Sequence, residues 1–292
     1  MRALTCLLAS AAILVTTAPA ALAATPSETA VDQVAKAERD FDADTFKHGI
    51  TRGFYTWSLP GAVAFRPGPV DIHARLAEKL KANPKDFDAP AKLRWGPWRI
   101  GAAKSGDFAY DIGTWHLEGA PNQGWFFTLW QKSGGKWRWA LDMGAGDAPD
   151  GEKPDPAAVV LPDPVAANSA ATAGAAKIEV GGADSDLNGK LTADLTAGYA
   201  DYISDDGAFG RAVGAVELPG EAGKADWEGR PKGATWTAQK TWIARSNDLA
   251  CVQGEVKTGD KVEGYYVRVW QRKGPAPSDW RLSVDLFQPV GS

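Results

Sequence analysis

Val31, Val34, Glu38 and Phe41 recur at spacings of three and four and share one helical face, apolar apart from the glutamate. Thr25-Pro26-Ser27-Glu28 supplies the start of that helix: a capping hydroxyl, a proline in the first turn and a glutamate three residues after the cap. The helix is predicted to run to about Phe46 and to be broken by Gly49. Ile50, Phe54 and Trp57 lie on one side of a second short helix, and Pro60-Gly61 punctuates the chain after it. Ala62 to Arg66 reads as a strand ended by Pro67-Gly68-Pro69, and Asp71 caps a third helix carrying Ile72, Leu76 and Leu80. The period then changes. Lys92 to Arg99, Phe108 to Glu118, Trp125 to Lys132 and Trp137 to Met143 are rich in aromatic and β-branched residues and are separated by Gly, Asn, Pro or Ser. That is the pattern of an antiparallel meander, and helices followed by strands predict an α+β domain.

The same pattern returns. Trp95 and Trp236 stand at the same offset as Ser105-Gly106-Asp107-Phe108-Ala109 and Ser246-Asn247-Asp248-Leu249-Ala250. Further on, Trp130-Gln131-Lys132 answers Trp270-Gln271-Arg272, and Trp137-Arg138 with Asp142 answers Trp280-Arg281 with Asp285. A repeat this long exceeds the roughly 20–50 residues of a solenoid unit, so each copy is predicted to be a domain with its own core. Between the copies, residues 146–183 are dominated by Ala, Pro, Asp and Gly and read as a semi-extended linker. The second copy shows helical patterns around Leu187 to Ile203, a short strand at Ala215 to Leu218, and strands near Trp236 to Arg245, Leu249 to Val256, Gly264 to Arg272 and Trp280 to Phe287. The predicted organisation is therefore residues 1–23, a first domain 24–145, the linker 146–183 and a second, degenerate domain 184–292.

Residues 1–23 read as an export signal, with Arg2, a short apolar run from Leu7 to Thr16 and the small-x-small site Ala21-Leu22-Ala23. A periplasmic or secreted protein beginning at Ala24 is the expectation. Its removal takes Cys6 away and leaves Cys251 alone, which excludes an intrachain disulfide and suits a small core residue. The formal net charge of −4 offers no basic face to a nucleic acid, and no later apolar run reaches membrane-spanning length.

The helical hairpin, the strand closing in Phe65-Arg66-Pro67-Gly68-Pro69, Leu93-x-Trp95, Ser105-Gly106-Asp107-Phe108-Ala109-Tyr110-Asp111-x-Gly113-x-Trp115, Leu129-Trp130-Gln131-Lys132 and Trp137-Arg138 leading to Leu141-Asp142 together resemble the SnoaL-like branch of the nuclear transport factor 2-like superfamily. The resemblance covers roughly residues 30–145, and residues 184–288 more faintly. It implies tandem cone-shaped domains, each a curved antiparallel sheet wrapped round N-terminal helices in a cystatin-like roll, with an apolar pocket between sheet and helices. It does not fix an activity. Domains of this superfamily often pair through the open face of the sheet, so it also implies an intramolecular pseudo-dimer or a homodimer.

Eight of the thirteen tryptophans lie in the first copy. Those that recur, Trp95, Trp130 and Trp137, read as core. Those without a counterpart, Trp57, Trp98, Trp115, Trp125 and Trp139, are candidates to line an aromatic pocket together with Tyr55. Arg66, beside the rigid proline turn and without an evident counterpart, is a candidate to hold a carboxylate at the pocket mouth. His116, His73 and His48 are all in the first copy and not at metal-ligand spacing. In the isomerase branch of the superfamily an aspartate in the apolar cone removes a proton beside a carbonyl. By residue type alone Asp142, with Asp111, Tyr110 and His116, are the candidates for such chemistry here. Against this, Arg138 and Arg281 stand four residues before Asp142 and Asp285, a spacing that on a regular strand shares a face and suits a structural polar network. Asp184-x-Asp186-x-Asn188-Gly189 begins like a calcium loop but has Leu195 where a bidentate acid is needed. No cofactor or metal is predicted. Non-catalytic binding of a small apolar or aromatic molecule in the first cone leads, with isomerase or lyase chemistry and a purely structural role as alternatives.

Overall fold

Thr25 closes a capping box at the head of helix α1 (Pro26–His48): the Glu28 amide donates to the Thr25 hydroxyl at 3.3 Å and the Thr25 amide to the Glu28 carboxylate at 2.6 Å. The computed structural model describes residues 25–65, 68–84, 92–120, 123–146, 161–162, 166–210, 216–217 and 230–290. α1 ends at Gly49, whose φ of 89° suits glycine, and α2 (Ile50–Trp57) follows. Strands β1 (Ser58–Phe65) and β2 (Pro69–Asp71) lead into α3 (Ile72–Ala82), capped by Asp71 at the Ala74 amide. β3 (Leu93–Ala102), β4 (Phe108–Leu117), β5 (Gln123–Ser133) and β6 (Lys136–Gly146) run as an antiparallel meander. β1 returns to pair in parallel with β6, and the two-residue β7 (Leu161–Pro162) covers the β3 edge. Bulges in β3 and β6 bend the sheet round α1.

The second unit follows the same plan with α4 (Ala173–Ala193), α5 (Leu195–Ala200), β8 (Ile203–Gly210), β9 (Val216–Glu217), β10 (Thr235–Ile243), β11 (Leu249–Thr258), β12 (Lys261–Arg272) and β13 (Trp280–Pro289). Its strand order, β10-β11-β12-β13-β8-β9, is the order β3-β4-β5-β6-β1-β2 of the first sheet. Each unit is a curved, largely antiparallel sheet wrapped on its own helices, the α+β architecture predicted above.

Two expectations change. Helix α4 begins at Ala173, inside the stretch expected as linker, because Thr172 caps the Ala175 amide and Ala176, Val180, Asp184 and Leu187 then present a buried helical face. The counterpart of β1 is β8, which was not foreseen. Val216–Glu217, within the short strand expected at Ala215 to Leu218, pairs with β8 as β2 does with β1. Asp184 and Asn188 lie in a helix, which disposes of the calcium-loop echo. Residues 1–23, expected to form an export signal, lie outside the described residues, and no helix among the described ones is long and apolar enough to cross a membrane.

The two sheets meet face to face. Val63, Tyr110, Ile112, Phe127 and Leu141 of the first form one apolar layer with Cys251, Val267, Val269 and Val284 of the second. At one edge of the layer the two matching turns touch: the Ser105 amide donates to Ser246 Oγ at 3.1 Å, the Lys104 amide to Asp248 Oδ2 at 3.0 Å, and Arg245 pairs with Asp107. Gly106 and Asn247, the central residues of these turns, both have positive φ (66° and 57°).

Candidate functional site

Inside the first cone, rings of Phe41, Phe54, Trp57, Trp95, Trp130 and Trp139 lie within 6.5 Å of Phe41 or one another. One helical residue among them is not apolar. Glu38 is fully buried on α1; the Trp95 indole N–H donates to its Oε1 and the Trp130 indole N–H to its Oε2 at 3.0 Å. The Trp130 N–H also stands 3.3 Å from Asp111 Oδ1, and the two carboxyl groups are within hydrogen-bonding reach of each other. Asp111 pairs with Thr128 and Thr128 with Asp142 across β4, β5 and β6, so the three side chains form a row on the inner face. The Thr128 hydroxyl donates to Asp142 Oδ2 at 3.3 Å. The row runs from sealed Asp111 to half-buried Asp142.

Two touching carboxyl groups out of water do not both ionise. Burial, the largest influence, pushes Glu38 up to about 7. Burial and then the Glu38 charge push Asp111 well above the ordinary carboxylate range. The pair holds a proton at neutral pH.

The second cone shows the same positions with different chemistry. The burial spacing of α1 and α4 sets Glu38 against Asp184, and the Trp270 indole donates to Asp184 at 3.2 Å as Trp130 does to Glu38. Strand register sets Asp142 against Asp285, Thr128 against Arg268 and Asp111 against Val252. Arg268, fully buried, donates to Asp285 at 2.9 Å, to Asp184 at 3.0 Å and to Asn188 at 2.6 Å, while Arg230 donates to Asp285 at 2.8 Å. Its guanidinium lies 4.1 Å from the Tyr266 ring and 5.2 Å from the Trp236 ring. Burial opposes the Arg268 charge, but Asp285 and Asp184 more than offset it and hold the guanidinium protonated. The second cone has thus neutralised its acids from within. Among the described residues, the main influences on Glu38 and Asp111 are burial, each other, Asp142 and the indole N–H groups, with no arginine in the role Arg268 has for Asp184.

The mouths differ too. Register sets Gly144 against Phe287. Phe287 is buried against Trp236 at 5.7 Å, whereas Gly144 is exposed and, among the described residues, a Cβ built on it meets nothing nearer than the Trp115 indole nitrogen at 3.9 Å.

The candidates of the sequence do not all converge. Trp57 and Trp115 pack against the cone interior, but Trp98 and Trp125, 5.9 Å apart, belong to the layer between the sheets. Tyr110 is in that layer as well, stacked on Phe127, because adjacent residues on a strand face opposite ways and Asp111 faces inward. Tyr110 therefore does not join Asp111 and Asp142 as a donor. His116 pairs with Gln123, five residues along β4 from Asp111 or about 17 Å of strand, and does not reach the row. Tyr55 stacks on His73 at 4.6 Å, His73 Nδ1 meets the Ser58 hydroxyl at 2.8 Å, and His48 bonds Asp44. Trp139, expected at a pocket wall, is fully buried. Arg66 lies outside the described residues.

The spacing of Arg138 and Asp142 also misled. Bulges at Ala140 and Ser283 break the two-residue alternation; Arg138 lies over the Trp57 ring at 5.3 Å, and the arginines on Asp285 are Arg268 and Arg230, not Arg281. Among the described residues no three His, Cys, Asp or Glu side chains come together as a metal site. Glu38 is legible in the sequence as the one acid on an otherwise apolar helical face, the signal that marks it as a site residue.

No family model and no curated protein matches the chain. Solved structures that it is similar to include a cystatin-like fold protein from Burkholderia xenovorans LB400 (18% identity, 40% of this chain and 93% of that one, TM-score 0.32). Others are an NTF-2 like protein of unknown function from Shewanella oneidensis MR-1 (17%, 40% and 93%, 0.27) and a nuclear transport factor 2 superfamily protein from Salmonella enterica (13%, 41% and 94%, 0.31).

Proposed function

We propose that this is an exported protein that binds a small, partly aromatic or apolar molecule in the first cone, the second cone serving as its packing partner. On this reading the chain is a tandem duplication within the nuclear transport factor 2-like superfamily, and the face-to-face sheets satisfy internally the pairing that separate copies would otherwise make. The observation that carries the proposal is the contrast between the cones. Arg268 and Phe287 fill and neutralise the second, while Thr128 and Gly144 leave the matching positions of the first small, with Glu38 and Asp111 held among aromatic rings. Keeping two acids in an apolar interior with no cation from the described residues beside them is costly, and a binding site is where such a cost is retained.

Native mass spectrometry of the protein purified from its own host tests this. A retained small molecule that is released on unfolding, and missing from Asp111→Val, which copies the second cone, supports the reading. A clean apo mass, together with no binding from a broad small-molecule panel, overturns it. One feature favours a catalytic variant of the same site: a carboxyl group held near 7 is matched to general-base work. Hydrogen–deuterium exchange next to the carbonyl of a bound ketone, lost in Glu38→Gln, would distinguish catalysis from binding alone.

A further inference from the structure

The second cone holds a template for what the first one binds. Its Arg268 guanidinium sits between Asp184 and Asp285, the counterparts of Glu38 and Asp142, and lies on the rings of Tyr266 and Trp236, the counterparts of Phe126 and Trp95. In the first cone the acids and the rings remain: Phe126 and Trp95 are both buried in the aromatic interior. The tethered cation is replaced by Thr128, and a third acid, Asp111, stands where the second cone has Val252. Across Glu38, Asp111, Thr128 and Asp142 the first interior thus has one acid more and one arginine fewer than at the matched Asp184, Val252, Arg268 and Asp285; Asp42, matched to Asn188, is a further acid but is paired with Arg94. Gly144, in place of the buried Phe287, is exposed, and among the described residues the nearest atom to a Cβ built on it is the Trp115 indole nitrogen at 3.9 Å.

We infer that the first cone takes a cationic small molecule, one bearing a guanidinium, amidinium or amine head on an apolar or aromatic body, with the head where Arg268 stands in the second cone. This rests on the small-molecule reading above and narrows it to a charge class. A planar cation satisfies carboxylates in the plane of its N–H groups while its faces meet aromatic rings, which is the geometry Arg268 realises. The body extends past Asp142 towards Trp115 and Gly144. Because Glu38 and Asp111 share a proton when no cation is present, binding of the head expels it. A neutral ligand has no such effect.

The test uses benzamidine as the probe and benzamide as its neutral isostere, titrated into the mature protein by isothermal calorimetry near neutral pH in buffers of different ionisation enthalpy. Benzamidine is expected to bind at least about tenfold more tightly than benzamide, the difference being that of charge-assisted over neutral hydrogen bonds. Its heat should vary with the buffer as a proton is released. Thr128→Arg, which supplies the cation in cis, should lose benzamidine binding. Asp111→Asn, nearly isosteric and so a safeguard against misfolding of the arginine variant, should lose the preference for benzamidine and the proton release. Equal or tighter binding of benzamide overturns the cationic class while leaving the small-molecule reading intact. A folded protein that ignores benzamidine overturns the inference, and if native mass spectrometry also finds a clean apo mass the broader reading fails with it. Retained benzamidine binding in a folded Thr128→Arg variant places the cation elsewhere and sinks the template.

Discussion

Glu38→Gln isolates the buried acid pair. The native pKa of Glu38 is pushed from 4.5 to about 7 by burial, against hydrogen bonds from its neighbours. An acid raised in this way keeps its proton in the folded chain after the unfolded chain has lost it. Its stabilising contribution is complete below pH 4.5 and is lost as the pH rises through the window from 4.5 to about 7. At 1.36 kcal/mol per pKa unit, the change across that window is about 3 kcal/mol. Among the described residues the groups that act on Glu38 are Asp111, Asp142, Trp95 and Trp130, and burial outweighs their hydrogen bonds, which sets the sign. Glutamine keeps an oxygen for an indole N–H and offers its amide N–H to Asp111, while removing one titrating group. Asp111 is itself raised in part by the Glu38 charge, and losing that charge moves the variant the same way. Urea unfolding followed by tryptophan fluorescence, at points across the window, should show the wild type losing about 3 kcal/mol more than Glu38→Gln as the pH rises. Parallel stability curves for the two proteins would refute the buried-pair reasoning.

Arg268→Met leaves Asp184 and Asp285 buried without the cation that joins them, and should cost about 3–5 kcal/mol by urea unfolding at neutral pH; a cost below 1 kcal/mol would mean the network carries no charge. Thr128→Arg should stabilise the apo protein at neutral pH by supplying a partner to the acids of the first cone, read as a rise in urea midpoint; a fall in midpoint with the fold intact would argue that the two interiors are not equivalent. Cys251 is sealed between the sheets and burial pushes its thiol up, so a thiol reagent should label it only after unfolding. Rapid labelling of the native protein would show that the two sheets come apart.

Most of the architecture was legible in the chain because it is carried by local signals. The Thr25 capping box, Gly49, the Asp71 cap and the four aromatic strands of the first unit all act within a few residues and lie where the pattern puts them. β8 was missed because Asp205, Asp206 and Gly207 interrupt any alternation, and it is held by parallel pairing with β13, a partner some eighty residues away. The first turns of α4 were hidden by an Ala- and Gly-rich composition that resembles a linker until the spacing of Ala176, Val180, Asp184 and Leu187 is counted. The site was less legible. Tyr110, Trp98 and Trp125 were grouped with Asp111 and Trp115 by type, and strand alternation sends them to the opposite face. Bulges at Ala140 and Ser283 add one residue that no local signal betrays, and with it the arginine partners change. The contrast that matters most, Thr128 against Arg268, stands two residues before the matched Trp130 and Trp270, but no local signal shows that these positions face the buried acids of the helices.

Carbon-13 NMR of the Glu38 and Asp111 side-chain carboxyl groups, titrated with and without benzamidine and assigned with Glu38→Gln and Asp111→Asn, tests most directly whether the first cone keeps a proton where the second keeps an arginine. Without the probe, one carboxyl of the pair should stay protonated at neutral pH; with it, both should ionise. Two carboxyl groups already ionised in the free protein, titrating in the ordinary acid range and indifferent to the amidinium, would contradict that.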